Sequence, residues 1–256
     1  MILAGKTAIV TGGGKGIGKA IALQLGREGA RVAICGRAPQ PLKETASWLR
    51  EKGTEVWQGP CDVSQWEQVD HFSGEVEARL GPIDILVNNA GLGGPNGADQ
   101  EGRRRWRAIL AANLDGPYFC GCRVLKTMPD GGRIINVSSV LGKFGVAGYS
   151  AYCASKTGII GLTRALALEL VPRRITVNAI CPGWVETEMA RQGMEAGAGA
   201  AQMSYQEFRK SALERVPLGE MLQPWEVAEL VSFLASPAAK NITGQAYNIC
   251  GGQVMY

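Results

Sequence analysis

The stretch TGGGKGIG, residues 11–18, decides how this chain folds. It joins the β-branched segment KTAIVT (6–11), which predicts a strand, to GIGKAIALQLGREG (16–29), which predicts a helix ending at glycine. The glycines between them permit a tight turn and a close approach of helix and strand. A strand, a glycine loop and a helix in this order predict a sheet of parallel strands joined by helical crossovers.

The same alternation continues outward from this loop to the end of the chain. Strands are predicted at 6–11, 30–35, 54–59, 83–89, 132–139, 175–181 and 245–250, and helices at 16–29, 42–53, 64–81 (capped by Ser64), 103–128, 148–171 and 224–236. Continuously apolar strands are buried on both faces, which is typical of parallel sheets. The sequence therefore predicts an α/β fold in a single domain over residues 1–256. This is a doubly wound, Rossmann-type parallel sheet of about seven strands with helices on both faces.

One segment, residues 184–219, interrupts this alternation. It is too long for an ordinary connection and is rich in Met, Ala and Gly, with helical patches. We interpret it as a helical lid over a binding cleft within the same domain. The alternative is an inert surface insertion.

The glycine loop also predicts a dinucleotide site, because it leaves a strand and opens a helix. Gly12 allows the turn, Gly16 lets the backbone approach a pyrophosphate, and Gly18 lets the helix pack on the sheet. The second strand ends at Arg37 without the acidic residue that would bind a ribose 2′-hydroxyl. Arg37 and Lys15 instead offer two cations to a 2′-phosphate, so NADP(H) is favoured over NAD(H).

Composition excludes several classes of function. The net charge of +4 is too small for a nucleic-acid-binding protein. No stretch is long and apolar enough to span a membrane, and the first residues do not resemble a secretion signal. The seven cysteines lack the paired spacing of a zinc site, so no metal is expected. A cytoplasmic protein with free thiols is predicted.

Further motifs follow the glycine loop in a fixed order. They are NNAG (88–91), Asn113 in AANLDG, Ser139 in NVSS, YCASK (152–156) and PGWVET (182–187). In this order and spacing they resemble the short-chain dehydrogenase/reductase family over nearly the whole chain. Within that family the C-terminal third is similar to aromatic polyketide ketoreductases and to 3-oxoacyl-carrier-protein reductases. The resemblance implies an NADP-dependent oxidoreductase acting on CH–OH groups.

The resemblance also implies a role for each residue of the candidate catalytic set. Tyr152 and Lys156 are four residues apart and share one face of a helix. Tyr152 would donate a proton to the substrate carbonyl, and Lys156 would lower its pKa from about 10 toward 7 and hold the nicotinamide ribose. Ser139 would orient the substrate oxygen, and Asn113 would anchor a water that relays protons to Lys156.

The remaining site positions carried over from the family are contacts with cofactor and substrate. Asp62 is expected at the adenine, with Val63 beside it. The cofactor contacts as a whole are Gly12, Lys15, Gly16, Ile17, Gly18, Arg37, Asp62, Val63, Asn89, Ala90, Gly91, Tyr152, Lys156, Pro182, Gly183, Val185 and Thr187. The substrate contacts are Ser139, Leu141, Val146, Tyr149, Tyr152, Trp184 and Met189, which are mostly apolar.

We therefore expect an NADPH-dependent reductase of a 3-oxoacyl thioester or polyketide-like ketone. Three alternatives remain: a carbonyl reductase or secondary-alcohol dehydrogenase on free ketones or steroids, an NAD-dependent hydroxyacyl-CoA dehydrogenase, and an NADPH-sensing regulator without turnover. The basic run at 103–107 is either a solvated helix surface or a contact for an acyl carrier protein or CoA. The family resemblance further implies a homotetramer.

Overall fold

The computed structural model describes all residues, 1–256. Its sheet has seven parallel strands in the spatial order β3-β2-β1-β4-β5-β6-β7. The strands are β1 (Thr7–Thr11), β2 (Arg31–Gly36), β3 (Val56–Pro60), β4 (Ile85–Asn88), β5 (Arg133–Val137), β6 (Thr176–Pro182) and β7 (Ala246–Ile249). The order reverses between β1 and β4, which opens a crevice at the carboxyl ends of these two strands.

Helices cover both faces of the sheet. They are α1 (Gly16–Arg27), α2 (Pro39–Glu51), α3 (Trp66–Leu80), α4 (Gln100–Leu110), α5 (Gly116–Val124), α6 (Ser150–Glu169), α7 (Glu188–Ala201), α8 (Tyr205–Leu213) and α9 (Pro224–Ala235). One core lies between the sheet and α1, α2 and α9, and a second lies between the sheet and α3, α5 and α6. The predicted doubly wound fold is confirmed. No helix combines the length and the apolar character that crossing a membrane requires.

Two details of the predicted helices are wrong. The helix expected at 103–128 begins earlier, ends earlier, and is interrupted by a π turn at Ala111–Asp115 between α4 and α5. Ser64 does not cap α3, because its hydroxyl donates to Asp62 Oδ1 at 2.8 Å and the helix begins at Trp66. The extra residue in the π turn interrupts the first helix, and the local hydrogen bond of Ser64 shifts the start of the second. Hydrophobic periodicity alone predicts neither change.

Residues 184–219 contain α7 and α8, which have a small core of their own. Met194 and Met221 are buried there, and Trp184 and Phe208 pack around them. Gln202 ends α7 in a left-handed conformation, and Ser204 and Glu207 form a reciprocal capping box at the start of α8. The segment is therefore a helical hairpin with its own packing. Its action as a lid stays a prediction.

An ion-pair network ties α3 to α5 beneath the second core. Arg123 is buried and donates Nη2 to Glu77 at 2.8 Å and Nε to Asp70 at 2.5 Å. The Arg123 hydrogen bonds hold the pKa of Glu77 below its ordinary value. This stabilisation is therefore present at neutral pH and is lost as the pH falls through the lowered pKa of the carboxyl.

Replacing Arg123 should destabilise the fold measurably. Arg123→Ala leaves Glu77 without its partner, so the free energy of unfolding should fall by about 3 kcal/mol and Tm by roughly 6–12 °C. As a control, Arg104→Ala removes the exposed Arg104–Glu101 pair and should change stability by less than about 1 kcal/mol. Thermal unfolding checks both variants, and equal shifts in Tm would contradict the prediction.

Candidate active site

The segments that carry the predicted catalytic residues and the glycine loop lie at one edge of the sheet. Because all seven strands are parallel, the loops that follow β1, β2, β3, β4, β5 and β6 leave the sheet at their shared carboxyl edge. Helix α6 runs beside this edge with Tyr152 and Lys156 in its first two turns. The fold therefore places segments far apart in sequence around one crevice, as ligand sites in such sheets require.

The glycine loop is shaped by close backbone contacts. Gly12 and Gly16 have φ values of +68° and +54°, which favour glycine. A Cβ on Gly18 would lie 2.3 Å from the Gly12 carbonyl oxygen and 2.4 Å from Asn89 Nδ2. No side chain caps α1, so the N–H groups of its first turn are free to bind an anion. These features fit a dinucleotide pyrophosphate.

Two cations stand on the rim of this loop. Lys15 and Arg37 are both exposed, and neither takes part in any salt bridge of the structure. An unpaired guanidinium at the end of β2 suits a ribose 2′-phosphate. Asp62, after β3, instead uses Oδ1 to accept from the N–H and hydroxyl of Ser64.

Tyr152 and Ser139 meet where β5 and α6 come together. Burial raises the pKa of Tyr152 to about 12, and the Ser139 side chain opposes that shift. The Ser139 hydroxyl is itself held by the Leu141 N–H at 3.1 Å. Without a bound cofactor Tyr152 is therefore a neutral phenol, and its pKa moves away from 7 rather than toward it, because burial disfavours the charged phenolate.

Lys156 is buried one turn further along α6. Its Nζ donates to the Val137 carbonyl at 2.8 Å and lies 5.6 Å from the centre of the Tyr152 ring. Burial lowers the pKa of Lys156 to about 8, because the buried ammonium loses its hydration and gains only one hydrogen bond, to the Val137 carbonyl. Lys156 can therefore release a proton much more readily than an exposed lysine.

Asn113 lies in the π turn between α4 and α5, a type of irregularity that often marks a functional position. Its side chain accepts from the Leu92 N–H at 2.7 Å, and its Nδ2 donates to the Leu92 carbonyl at 2.9 Å and to Ser155 Oγ at 3.1 Å. A Cβ on Gly91 would lie 3.0 Å from Asn113 Oδ1 and 3.7 Å from Lys156 Nζ. Asn113, Gly91 and Lys156 are thus neighbours at the crevice.

The predicted substrate contacts do not all lie together. Tyr149 is close enough to Tyr152 to affect its pKa, and a Cβ on Gly93 would touch both Met189 Sδ (3.2 Å) and Tyr152 Cε2 (4.0 Å). Trp184 packs within the core of the α7–α8 hairpin. Leu141 packs against the small cluster of Val140, Cys250 and Val254, and Val146 is exposed on the loop before α6.

The remaining predicted cofactor contacts fall into two groups. Asn89, Ala90, Gly183 and Thr187 have backbone or side-chain atoms at the crevice. Asn89 Nδ2 donates to the Thr11 carbonyl at 2.9 Å, and Thr187 Cγ2 would lie 3.3 Å from a Cβ placed on Gly16. Others have side chains packed in the cores: Val63, Val185 and, in part, Ile17, with Pro182 buried at the end of β6. The second group can contribute only backbone atoms or the shape of the wall.

Several residues that contact the site were not predicted from the sequence. Ser155 links Asn113 to the Tyr152 carbonyl, to which its hydroxyl donates at 2.8 Å. Ser138 donates to the Lys156 carbonyl at 2.8 Å, and Thr11 Oγ1 accepts from the N–H groups of Asn89 and Ala90. Ser155 lies inside YCASK and Ser138 beside Ser139, so their positions in the motifs were the available signal.

Known proteins match this chain along its length. A family model described as short chain dehydrogenase matches residues 6–197. A Streptomyces coelicolor protein named as a ketoacyl reductase is 42% identical over 251 residues, covering 96% of each chain. The 3-oxoacyl-[acyl-carrier-protein] reductase FabG of Pseudomonas aeruginosa is 39% identical over 257 residues, covering 100% of each. A solved variant of actinorhodin polyketide ketoreductase with NADPH has a TM-score of 0.94 and 42% identity, covering 98% of each chain.

Lys156 should titrate near pH 8 in the protein without ligand. The cause is burial, which disfavours the ammonium, so the proton leaves at a lower pH than from a lysine in water. Nitrogen-15 NMR of the lysine side chains measures this midpoint, and Lys156→Met identifies the resonance by its disappearance. A midpoint near the ordinary lysine value of about 10.4 would contradict the prediction.

Proposed function

This chain belongs to the short-chain dehydrogenase family, and we propose that it transfers a hydride from NADPH to the ketone of a 3-oxoacyl thioester or polyketide-like substrate. The observation that carries the proposal is the meeting of Asn113, Ser139, Tyr152 and Lys156 at one crevice, beside a glycine loop with two unpaired cations. A neutral acid, a readily deprotonated lysine and an anion site together serve carbonyl reduction.

The residues around the glycine loop fit NADP(H). The uncapped start of α1 would bind the pyrophosphate, Arg37 and Lys15 would bind the 2′-phosphate, and the loops after β3 and β4 would line the adenosine. When bound, the reduced nicotinamide supplies the hydride. Lys156 and Thr187 would hold the nicotinamide end.

Tyr152 acts as the general acid. The carbonyl oxygen gains negative charge as its carbon is reduced, and a neutral phenol within hydrogen-bond reach can protonate it. Because burial raises the pKa of Tyr152 to about 12, the proton is present on the phenol throughout the neutral range. Ser139 offers a second hydroxyl to the same oxygen, so the substrate carbonyl is oriented from two sides.

Lys156 and Asn113 restore the acid after each turnover. A phenolate left on Tyr152 is stabilised by the ammonium of Lys156, whose Nζ lies 5.6 Å from the centre of the Tyr152 ring. With a pKa of about 8, that ammonium can then give up a proton near neutral pH. Asn113 holds the π turn beside Lys156, and we propose that its backbone carbonyl anchors the water through which protons arrive.

The proposed substrate class rests on the named relatives and on an apolar approach to Tyr152. Met189 on α7 and the small Gly93 leave an apolar surface beside the Tyr152 ring. An acyl carrier protein or CoA could contact the exposed Arg103, Arg104 and Arg107 on α4, whereas Arg105 points to backbone carbonyls of the loop before that helix. We further propose that the protein is cytoplasmic and forms a homotetramer. The exposed side chains of Tyr118 on α5 and Leu168 on α6 support association between chains.

Removing the phenol should abolish ketone reduction. For Tyr152→Phe we expect kcat with acetoacetyl-CoA or trans-1-decalone to fall by about 10²–10⁴-fold, while NADPH still binds. Tyr256→Phe, at an exposed tyrosine, serves as a matched control and should leave kcat unchanged. Steady-state absorbance of NADPH reports both. Wild-type protein that reduces neither ketone would argue for a regulator without turnover, and a preference for the decalone would favour free ketones.

Arg37 should set the preference for NADPH. Arg37→Ala removes a charged partner of the 2′-phosphate, so kcat/KM with NADPH should fall by about 10–100-fold while that with NADH changes little. Arg50→Ala removes an exposed arginine of α2 elsewhere and is the control. Equal losses with both cofactors, or a wild type that prefers NADH, would reject the assignment and favour an NAD-dependent hydroxyacyl dehydrogenase.

A further inference from the structure

The loop between β4 and α4 is held in place along its length. We call residues 92–96 the β4 loop. Asn113 pairs with both backbone groups of Leu92, and Arg105 donates Nη2 to the Gly93 carbonyl at 3.0 Å and Nε to the Pro95 carbonyl at 2.9 Å. A planar guanidinium that bonds two carbonyls fixes direction as well as distance. These hydrogen bonds therefore fix the position of Asn96 at the end of the loop.

Asn96 forms hydrogen bonds with the first turn of α6. Its Oδ1 accepts from the Ala151 N–H at 2.9 Å, its Nδ2 donates to Ser150 Oγ at 3.0 Å, and its own N–H donates to the Gly148 carbonyl at 2.7 Å. Ala151 is the second residue of α6, and its N–H is one that an N-cap side chain ordinarily accepts. Tyr149 occupies the N-cap position and makes no such bond.

The helix that this contact caps carries the proposed acid. Tyr152 follows Ala151 directly, so fraying of the first turn would move the phenol relative to Ser139. The β4 loop also touches the ring itself, because a Cβ on Gly93 would lie 4.0 Å from Tyr152 Cε2. A misplacement of about 1 Å at a reacting group can lower a rate by about 100-fold.

We propose that Asn96 is a positioning residue for Tyr152, acting as an N-cap that reaches α6 from the β4 loop. This role rests on the proposed function, because it concerns the placement of the proton donor for ketone reduction. The proposal also explains why Arg105 and Asn113 both bind the backbone of the β4 loop. The two residues hold the loop from one side so that Asn96 can hold the catalytic helix from the other.

The test compares Asn96→Ala with Asn96→Asp and with Ser236→Ala. An aspartate keeps an oxygen acceptor for the Ala151 N–H and places negative charge at a helix N-terminus, where it is favourable. Ser236→Ala removes the cap of the turn after α9, where Ser236 Oγ accepts from Ala238 N–H at 3.2 Å, far along the chain from any site residue. Asn96→Ala and Ser236→Ala should lower Tm by a similar amount, about 2–4 °C.

The activity readouts separate positioning from stability. For Asn96→Ala we expect kcat for ketone reduction to fall at least about tenfold, with KM for NADPH unchanged within about twofold. Asn96→Asp should recover kcat to within about threefold of wild type, and Ser236→Ala should keep it. Amide hydrogen exchange of the protein without cofactor should speed up at Ala151 and Tyr152 in Asn96→Ala alone.

Three results would overturn the proposal: unchanged exchange at Ala151, a loss of kcat no larger than that of Ser236→Ala, or no recovery in Asn96→Asp. Wild-type protein that reduces no ketone would overturn the proposed function, and the positioning role with it. Hydrogen exchange would still decide whether Asn96 caps α6, so failure of the function and failure of the cap are distinguishable.

Discussion

Parallel pairing of β1 with both β2 and β4 is the constraint on which the rest of the structure depends. Parallel strands must be joined by crossovers, so each connection returns the chain to the same starting edge of the sheet. The loops that follow the strands therefore all leave from the opposite, carboxyl edge. Where the strand order reverses, the crossovers pass to opposite faces and leave a crevice between them. The glycine loop, Arg37, Asn113, Ser139 and the start of α6 reach one place for this reason.

Burial at this crevice acts on two titratable groups in opposite directions. It raises the pKa of the Tyr152 phenol and lowers the pKa of the Lys156 ammonium, because in each case the neutral form tolerates the loss of water better. The same environment thus keeps the Tyr152 phenol protonated and lets the Lys156 ammonium lose its proton near neutral pH. The same two side chains on an exposed helix surface would have neither property.

Irregular backbone carries much of the positioning around the site. The π turn turns Asn113 toward Leu92, and the β4 loop is bonded to α4 on one side and to α6 on the other. Regular helices and strands supply the rigid frame, whereas these short irregular segments set the distances between groups that belong to different elements. The buried link from Asn113 through Ser155 to the Tyr152 carbonyl belongs to the same set of connections.

The alternation of strands and helices, the parallel sheet, the glycine loop and the membership in the short-chain dehydrogenase family could all be predicted before the structure was known. They depend on local periodicity and on motifs with fixed spacing. The tertiary structure was needed to show that Val63 and Val185 face the cores and that Trp184 packs inside the α7–α8 hairpin. The contacts of Arg105 with the β4 loop and of Asn96 with α6 also appear only there. The direction of the Tyr152 pKa shift likewise follows from burial in the folded chain. Burial and contacts between distant segments arise from packing, which no periodicity along the chain records.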